Sequence, residues 1–320
     1  MHVSALLACI CVPSFVHAAD QISTSWQPYR DANPFVAASG LPFVPPSASP
    51  DSWRVDAIAS ASNTELAFDR DAEHLVYDAE IHEIRVFVTR AFGEHWIARA
   101  TIGETSFGNG FLDSFLEDYH RAFGFSAGDR GRLGTDGHTI AYSDGRGPGV
   151  LLDRTLHAVT PALLDVAYRR SDEGHEWLYG ATLKLPTSNA SPLVDDRAVD
   201  VSGWVAVQST DPLSRVPWGA RVGVMQRGNS RLLSDRVNDT VPFADAKVGF
   251  SLLPGWEVAA QLQWHSALYE SDIPFLQSAA TLAVSSAWHA RTGWTLRAGL
   301  VEDAVPRHSQ DVTFFVGLSL

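Results

Sequence analysis

The chain has 320 residues, a formal net charge of −13 and 10% aromatic residues, among them 10 tryptophans. That charge excludes a nucleic-acid partner, and the length holds one large β domain or two ordinary ones. Beyond the N-terminal stretch no apolar run reaches the roughly 18 residues that a membrane helix needs.

Met1 to Asp20 reads as a secretory signal. An apolar stretch precedes small residues, with Val16 and Ala18 at the positions a signal peptidase reads. Residues 1–19 are expected to be a signal peptide removed after Sec-type export. The stretch lacks a basic leading region, so the true start codon is expected to differ from Met1. Cys9 and Cys11 both lie inside it. The mature chain then has no cysteine, which excludes a disulfide framework and a thiolate metal site. A soluble periplasmic protein and an outer-membrane β-barrel remain.

Residues 20–51 are rich in Pro and Ser and contain Asn33-Pro34-Phe35 and Gly40-Leu41-Pro42. This segment is expected to be extended or irregular, at most a cap or a short plug. Strands follow. Trp53, Val55, Ala57, Ala59 and Ala61 alternate with polar residues, as do Leu75, Tyr77, Ala79 and Ile81. The apolar parity then changes to Ile84, Val86 and Val88, a pattern that predicts a bulge or tight turn. Trp96, Ala98, Ala100 and Ile102 form the next row.

The stretch from Phe107 to Phe125 reads differently. Phe107, Phe111, Phe115, Tyr119 and Phe123 recur every four residues, with Leu112 and Leu116 beside them and Asp113, Glu117, Asp118 and Arg121 opposite. This predicts an amphipathic helix over 107–124 with a broad aromatic face. A long polar, glycine-rich loop follows, from Ser126 to Gly149. Long loops of this kind suit the extracellular end of a membrane barrel.

The second half alternates regularly. Rows such as Trp177-Tyr179-Ala181-Leu183-Leu185 and Trp256-Val258-Ala260-Leu262-Trp264 are apolar, and the intervening residues are Arg, Glu, Gln, His and Ser. Strands of about ten residues cross an outer membrane at a tilt. Trp at row ends suits interfacial girdles, and the polar rows suit a lumen better than a sandwich core. The apolar alternation runs to Leu320. The fold class is therefore all-β: a transmembrane antiparallel β-barrel over 52–320 of about twelve strands, with one amphipathic aromatic helix in or over the lumen.

At the helix the sequence becomes recognisable. Asn33-Pro34-Phe35, Gly40-Leu41-Pro42, Phe111-Leu112-Asp113, Glu117 to His120, Phe123-Gly124 and Leu183-Lys184-Leu185-Pro186-Thr187 together resemble an uncharacterised bacterial outer-membrane family, domain-of-unknown-function family 3187. The resemblance covers most of the mature chain. It implies a Gram-negative outer-membrane barrel and no particular activity. The chain departs from the pattern at Pro148 to Asp153, where a cleaner glycine-aspartate turn is expected.

No nucleotide, zinc or nucleophile-elbow signature appears, and no cofactor is expected. Asp113, Glu117 and His120 can share a helix face, which reads as a solvated polar side ahead of a metal or acid–base site. His265 with Ser266, and His138 with Ser143, are the nearest candidates for a lipid-modifying Ser/His pair. The leading expectation is a passive channel or transporter for small molecules, hydrophobic ones among them. Phe107, Phe111, Phe115, Tyr119 and Phe123 would line its constriction beside Asp113, Glu117 and His120, with Arg130 and Arg132 tuning entry. A lipid-modifying enzyme and a structural barrel without transport are the alternatives. Expected partners are outer-membrane lipid and lipopolysaccharide, a small-molecule substrate and the barrel assembly machinery during biogenesis.

Overall fold

Fifteen strands form one antiparallel sheet in the computed structural model, which describes residues 26–70, 72–108, 112, 138–145, 148–211 and 216–320. They are β1 (Trp53–Arg70), β2 (Glu73–Phe92), β3 (Trp96–Gly108), β4 (Thr139–Ser143), β5 (Pro148–Leu152), β6 (Leu156–Val159), β7 (Ala162–Asp172) and β8 (His175–Leu185). β9 (Val201–Ser209), β10 (Trp218–Gln226), β11 (Thr240–Leu253), β12 (Trp256–His265), β13 (Ala279–His289), β14 (Thr295–Asp303) and β15 (Val312–Ser319) complete the set. Twelve of them close a ring: β1 to β3 and β7 to β15, sealed where β15 pairs with β1 from Asp56↔Ser319 to Asn63↔Val312. The hairpin β4–β5 extends the wall beyond β2. β6 continues the line of β7 alongside β3.

The two ends of the barrel differ. At one end lie the start of β1 and the last residue, Leu320, whose carbonyl accepts from Val55 N at 3.1 Å. Tight turns there carry Gly93, Gly174, Gly255 and Gly293 at positive φ, a conformation that costs a side-chain-bearing residue. We call this the terminal end. The opposite, loop end carries the long connections between β8 and β9, β10 and β11, and β12 and β13.

Alternation sets the wall. Successive side chains point to opposite faces, and the outward ones form an exposed apolar belt with Val222, Val316, Val284 and Leu296 between 43% and 62% accessible. A continuous apolar surface of that size is stable against hydrocarbon, not water. Trp53, Trp96, Trp218, Trp256 and Trp288 rim it at the terminal end, with Trp288 edge-on to Trp294 at 4.8 Å. Aromatic rings of this kind sit where lipid headgroups begin.

Two expectations are corrected. β2 contains no bulge. It pairs with β1 without a shift from Trp53↔Arg90 to Arg70↔Glu73. The apolar residues change face because the strand changes surroundings: Ile84, Val86 and Val88 point out into the belt, while Leu75, Tyr77 and Ile81 point in, each at most 5% exposed. The helix does not begin at Phe107 either. Phe107 and Gly108 are the last residues of β3, and Phe107 points inward at 3% exposure. Leu112 packs with Val312, Ala61 and Phe314, and its N–H donates to Glu80 Oε2 at 2.7 Å. Val312, Ala61 and Phe314 belong to outward rows of β15 and β1, so at Leu112 the segment lies against the outside of the wall and not in the lumen. Phe111, Asp113, Phe115, Glu117, Tyr119, His120, Phe123, Arg130 and Arg132 lie outside the described residues.

The bore is filled by the N-terminal segment, 26–50. It rises along β12, forms the short helix α1 (Pro34–Ala37) near the loop end, and returns to the start of β1. Arg30 ties its two limbs together, donating to Ser39 O at 3.1 Å, to Leu41 O at 2.9 Å and to Ala37 O.

The belt makes a depth-dependent prediction. Val222→Arg, at mid-belt, should cost about 2–4 kcal/mol of folding free energy in bilayers, and Leu253→Arg, beside the terminal-end turn, about 0–1 kcal/mol. Guanidinium titration of the lipid-embedded chain measures both. Equal costs would mean the belt is misplaced.

Candidate functional site

The site is the contact between plug and wall. On the rising limb, alternate plug residues meet alternate inward residues of β12. Gln27 N donates to Gln261 Oε1 at 2.9 Å, Gln263 Nε2 donates to Tyr29 O at 3.2 Å, and Asp31 Oδ2 lies 3.2 Å from His265 Nε2. Trp26 Nε1 donates to Gln208 Oε1 at 2.9 Å. Two extended segments side by side share a two-residue repeat, so one register satisfies every rung.

The tip is built by the Asn33-Pro34-Phe35 triplet. Asn33 caps α1 by accepting from Phe35 N at 3.0 Å, and Pro34 takes a first-turn position, where a missing N–H costs nothing. Asn33 Nδ2 also donates to Phe275 O at 2.8 Å. Phe35 is fully buried, edge-on to Tyr269 and Phe275.

Beyond the tip, Gly40 N donates to Asp200 Oδ2 at 2.7 Å. A Cβ at Gly40 would stand 2.5 Å from Asp200 Cβ and 3.0 Å from Lys184 Cβ, so only glycine fits. Asp200 also accepts from Gly228 N at 2.9 Å. Lys184 sits among Asp195, Asp196 and Asp200, and Arg227 donates to Asp196 Oδ2 at 2.9 Å; all five side chains are fully buried. Burial pushes the Asp196 carboxyl up, but Lys184 and Arg227 outweigh it and hold the group below the usual carboxylate range. Burial dominates at Asp200 and raises it. Burial likewise pushes the Tyr269 hydroxyl up to about 12.

The returning limb meets arginines. Arg221 donates to Phe43 O and, at 3.3 Å, to Pro42 O. Arg99 Nη2 donates to Val44 O at 2.7 Å, and Arg169 Nη1 to Ala48 O at 2.8 Å. Each is held from behind by a carboxylate on a neighbouring strand. Arg221 and Asp245 are direct cross-strand partners, as are Arg99 and Asp165. Phe43 packs edge-on to Phe87 at 5.1 Å, with Arg30 and Arg85 each 4.9 Å from its ring. Voids of about 30 Å3 and about 10 Å3 lie beside the plug. They are too small to connect the two ends.

Of the residues expected to line a constriction, the structure places Phe107 on the inner wall, beside the smaller void. The constriction among the described residues is the plug. His265 is committed: its Nδ1 lies 2.9 Å from Ser266 O, a carbonyl, and its Nε2 faces Asp31. Ser309 Oγ donates to Asp31 Oδ1 at 2.6 Å, on the far side of the carboxylate from the imidazole. A serine nucleophile needs its hydroxyl on the imidazole, so this trio relays no proton to a nucleophile. Ser143 pairs with His74 across the β2–β4 ladder. No metal-binding group of His, Cys, Asp and Glu forms among the described residues.

The wall pairs carry a prediction. Arg221→Met strands a buried Asp245 and should cost about 3–5 kcal/mol, while Arg221→Met with Asp245→Leu should recover most of it. Equilibrium unfolding in bilayers measures the cycle. Additive losses would show that the two groups are not a pair.

The 12-strand fold is similar to a solved outer-membrane channel of Pseudomonas putida F1, the COG4313 channel, at a TM-score of 0.52 and 12% identity over 85% of this chain and 95% of that one. The NanC porin aligns at 0.48 and 12% identity over 83% and 98%. The first likeness shows the fold alone. No curated protein matches the chain in sequence. The profile described as "Protein of unknown function (DUF3187)" matches residues 4–320, and the chain belongs to that family.

Proposed function

We propose that this protein is an outer-membrane channel for small polar solutes, closed in the state described by its own N-terminal segment. One observation carries the reading: the bore holds the chain's own N-terminal segment, hydrogen-bonded to inward side chains of the wall. Side chains alone fill the interior of a barrel of about eight strands, and twelve strands leave a wider bore that needs other contents. Here the inward rows hold Arg221, Arg99, Gln261 and Gln263, whose partners are plug backbone groups. Polar walls suit polar solutes; a hydrophobic route would need the aromatic stretch after β3, and Leu112 lies against the outer face.

In this reading residues 1–19 direct export, the barrel assembly machinery inserts the chain, and the apolar belt contacts outer-membrane lipid. The terminal end faces the periplasm and the loop end the exterior, as barrel loops usually do. The lipid-modifying alternative is weakened by the commitment of His265, buried at the loop end of β12, to Asp31 and to a carbonyl.

Gly40→Val is the direct test. The added side chain must overlap Asp200 and Lys184, and it should lift the plug tip while leaving the barrel wall intact. In planar bilayers the unaltered chain should be nearly silent and Gly40→Val should give steady openings, with the N-terminal segment newly open to protease. Silence in both and in a chain lacking residues 26–50, each with a barrel that is still heat-modifiable on gels, would rule out the channel.

A further inference from the structure

We propose that the opened bore selects small anions bearing a carboxylate or comparable oxyanion, and that Arg99, Arg221 and Arg297 are its specificity residues. The inference rests on the channel reading and adds the solute class.

Each of these guanidinium groups divides its donors in the same way. One side is fixed to the wall. Arg99 Nε donates to Asp165 Oδ2 at 2.8 Å, Arg221 Nε donates to Asp245 Oδ2, and Arg297 Nη2 donates to Ser319 Oγ at 2.9 Å. The other side faces the plug and donates to a peptide carbonyl: Val44 O, Phe43 O and, at 3.4 Å, Trp26 O. The plug thus occupies these donors with acceptor oxygens. When it leaves, the guanidinium planes keep their wall partners and their orientation, and their bore-side N–H groups need acceptors again. A solute carboxylate supplies them with charge assistance that a neutral solute lacks.

The carboxylate behind Arg99 is not free to take up a cation. Asp165 accepts from Arg99 at Oδ2 and from Thr182 Oγ1 at 2.6 Å at Oδ1, so both its oxygens are engaged by the wall. Glu257 on β12 is the counterweight: it is 1% exposed and neither oxygen accepts a hydrogen bond, so the arginines must outweigh it for anions to be favoured.

A second observation points the same way. The void of about 30 Å3 between plug and wall is lined by Arg54, Arg99 and Arg297, with Asp56 the one carboxylate among its lining residues. Arg297 is 2% exposed, yet its Nε has no protein acceptor. A buried guanidinium N–H without a protein partner beside that void is a donor still to be satisfied from the bore side, by water with the plug in place and by a solute oxyanion once it leaves.

The test compares Gly40→Val with Gly40→Val/Arg99→Gln/Asp165→Asn/Arg221→Gln/Asp245→Asn, which leaves no stranded carboxylate, in planar bilayers under a KCl gradient. The reversal potential of Gly40→Val should report chloride favoured over potassium by about threefold or more, and the wall changes should bring that ratio to about one or below. Replacing chloride by succinate on one side should preserve an anion current in the first chain only. Should Gly40→Val stay shut, a chain lacking residues 26–50 replaces it, with the same wall changes. Current without anion preference, or a preference indifferent to the wall changes, overturns the inference and leaves the channel standing. No current from either opened, heat-modifiable barrel overturns the channel reading and the inference with it.

Discussion

A buried polar group must find a partner, and in a twelve-strand barrel that rule reaches the whole inner surface. The bore is too wide for facing side chains to meet across it and satisfy one another. A polypeptide laid through it solves the problem, because every peptide unit brings a donor and an acceptor at a regular spacing. The plug is used in that way: its backbone answers Gln261, Gln263, Arg99, Arg169 and Arg221. Plug side chains add to the backbone where geometry requires it: Arg30 between the limbs, Asp31 on His265, Asn33 at the cap and Gly40 against Asp200.

The arginines are placed so that the plug is not their sole support. A guanidinium has five N–H groups in a rigid fork, enough to hold a neighbouring strand and the plug at once. Arg221 and Arg99 do both, each paired with the carboxylate directly across the ladder. The wall therefore stays electrostatically balanced whether or not the plug is in place. An unpaired buried charge would cost several kcal/mol and would lock the plug in permanently. Lysine could not serve in the same way, because its ammonium is a point charge without a fixed fork.

The wall was legible in the sequence and its contents were not. Rows such as Trp256 to Trp264 carry the two-residue repeat of a strand with one apolar face, and their length, Trp-flanked ends and polar opposite rows place that face toward lipid. The plug lacked such a signal. Its contacts join residues more than two hundred positions apart, as Asn33 and Phe275 do, and they run through carbonyls that every residue possesses. The short motifs at Asn33, Gly40 and Lys184 stood out, yet nothing in their spacing said that Gly40 and Lys184 meet at Asp200. The helix over 107–124 began wrongly for a related reason. A four-residue step is close to one helical turn and is also two full strand repeats, so Phe107 fits the inner face of β3 as well as it fits a helix. In β2 the same ambiguity lies between a bulge and a strand that leaves the membrane. Only the unbroken pairing with β1 decides it.

The position of the polar cluster at the tip bears on how such a plug could move. At its base the plug joins β1 through Asp51, whose φ of 53° is left-handed and whose carboxylate accepts from Gly93 N at 2.7 Å, in the β2–β3 turn. The returning limb is thus pinned at the terminal end by local contacts, which survive any displacement of the tip. At the loop end the tip is held by several separate bonds, from Gly40 N to Asp200, from Asn33 Nδ2 to Phe275 O and from Tyr269 Oη to Phe35 O, around the Phe35 nest. Asp200 belongs to the β8–β9 connection, and Arg227 of the next connection reaches into the same cluster. Anything that shifts these two connections together therefore acts on the plug tip first. In the proposed opening the base would hold while the tip leaves, and the rungs along β12 and the arginines would part from the loop end, because the chain joins the two limbs only through the tip.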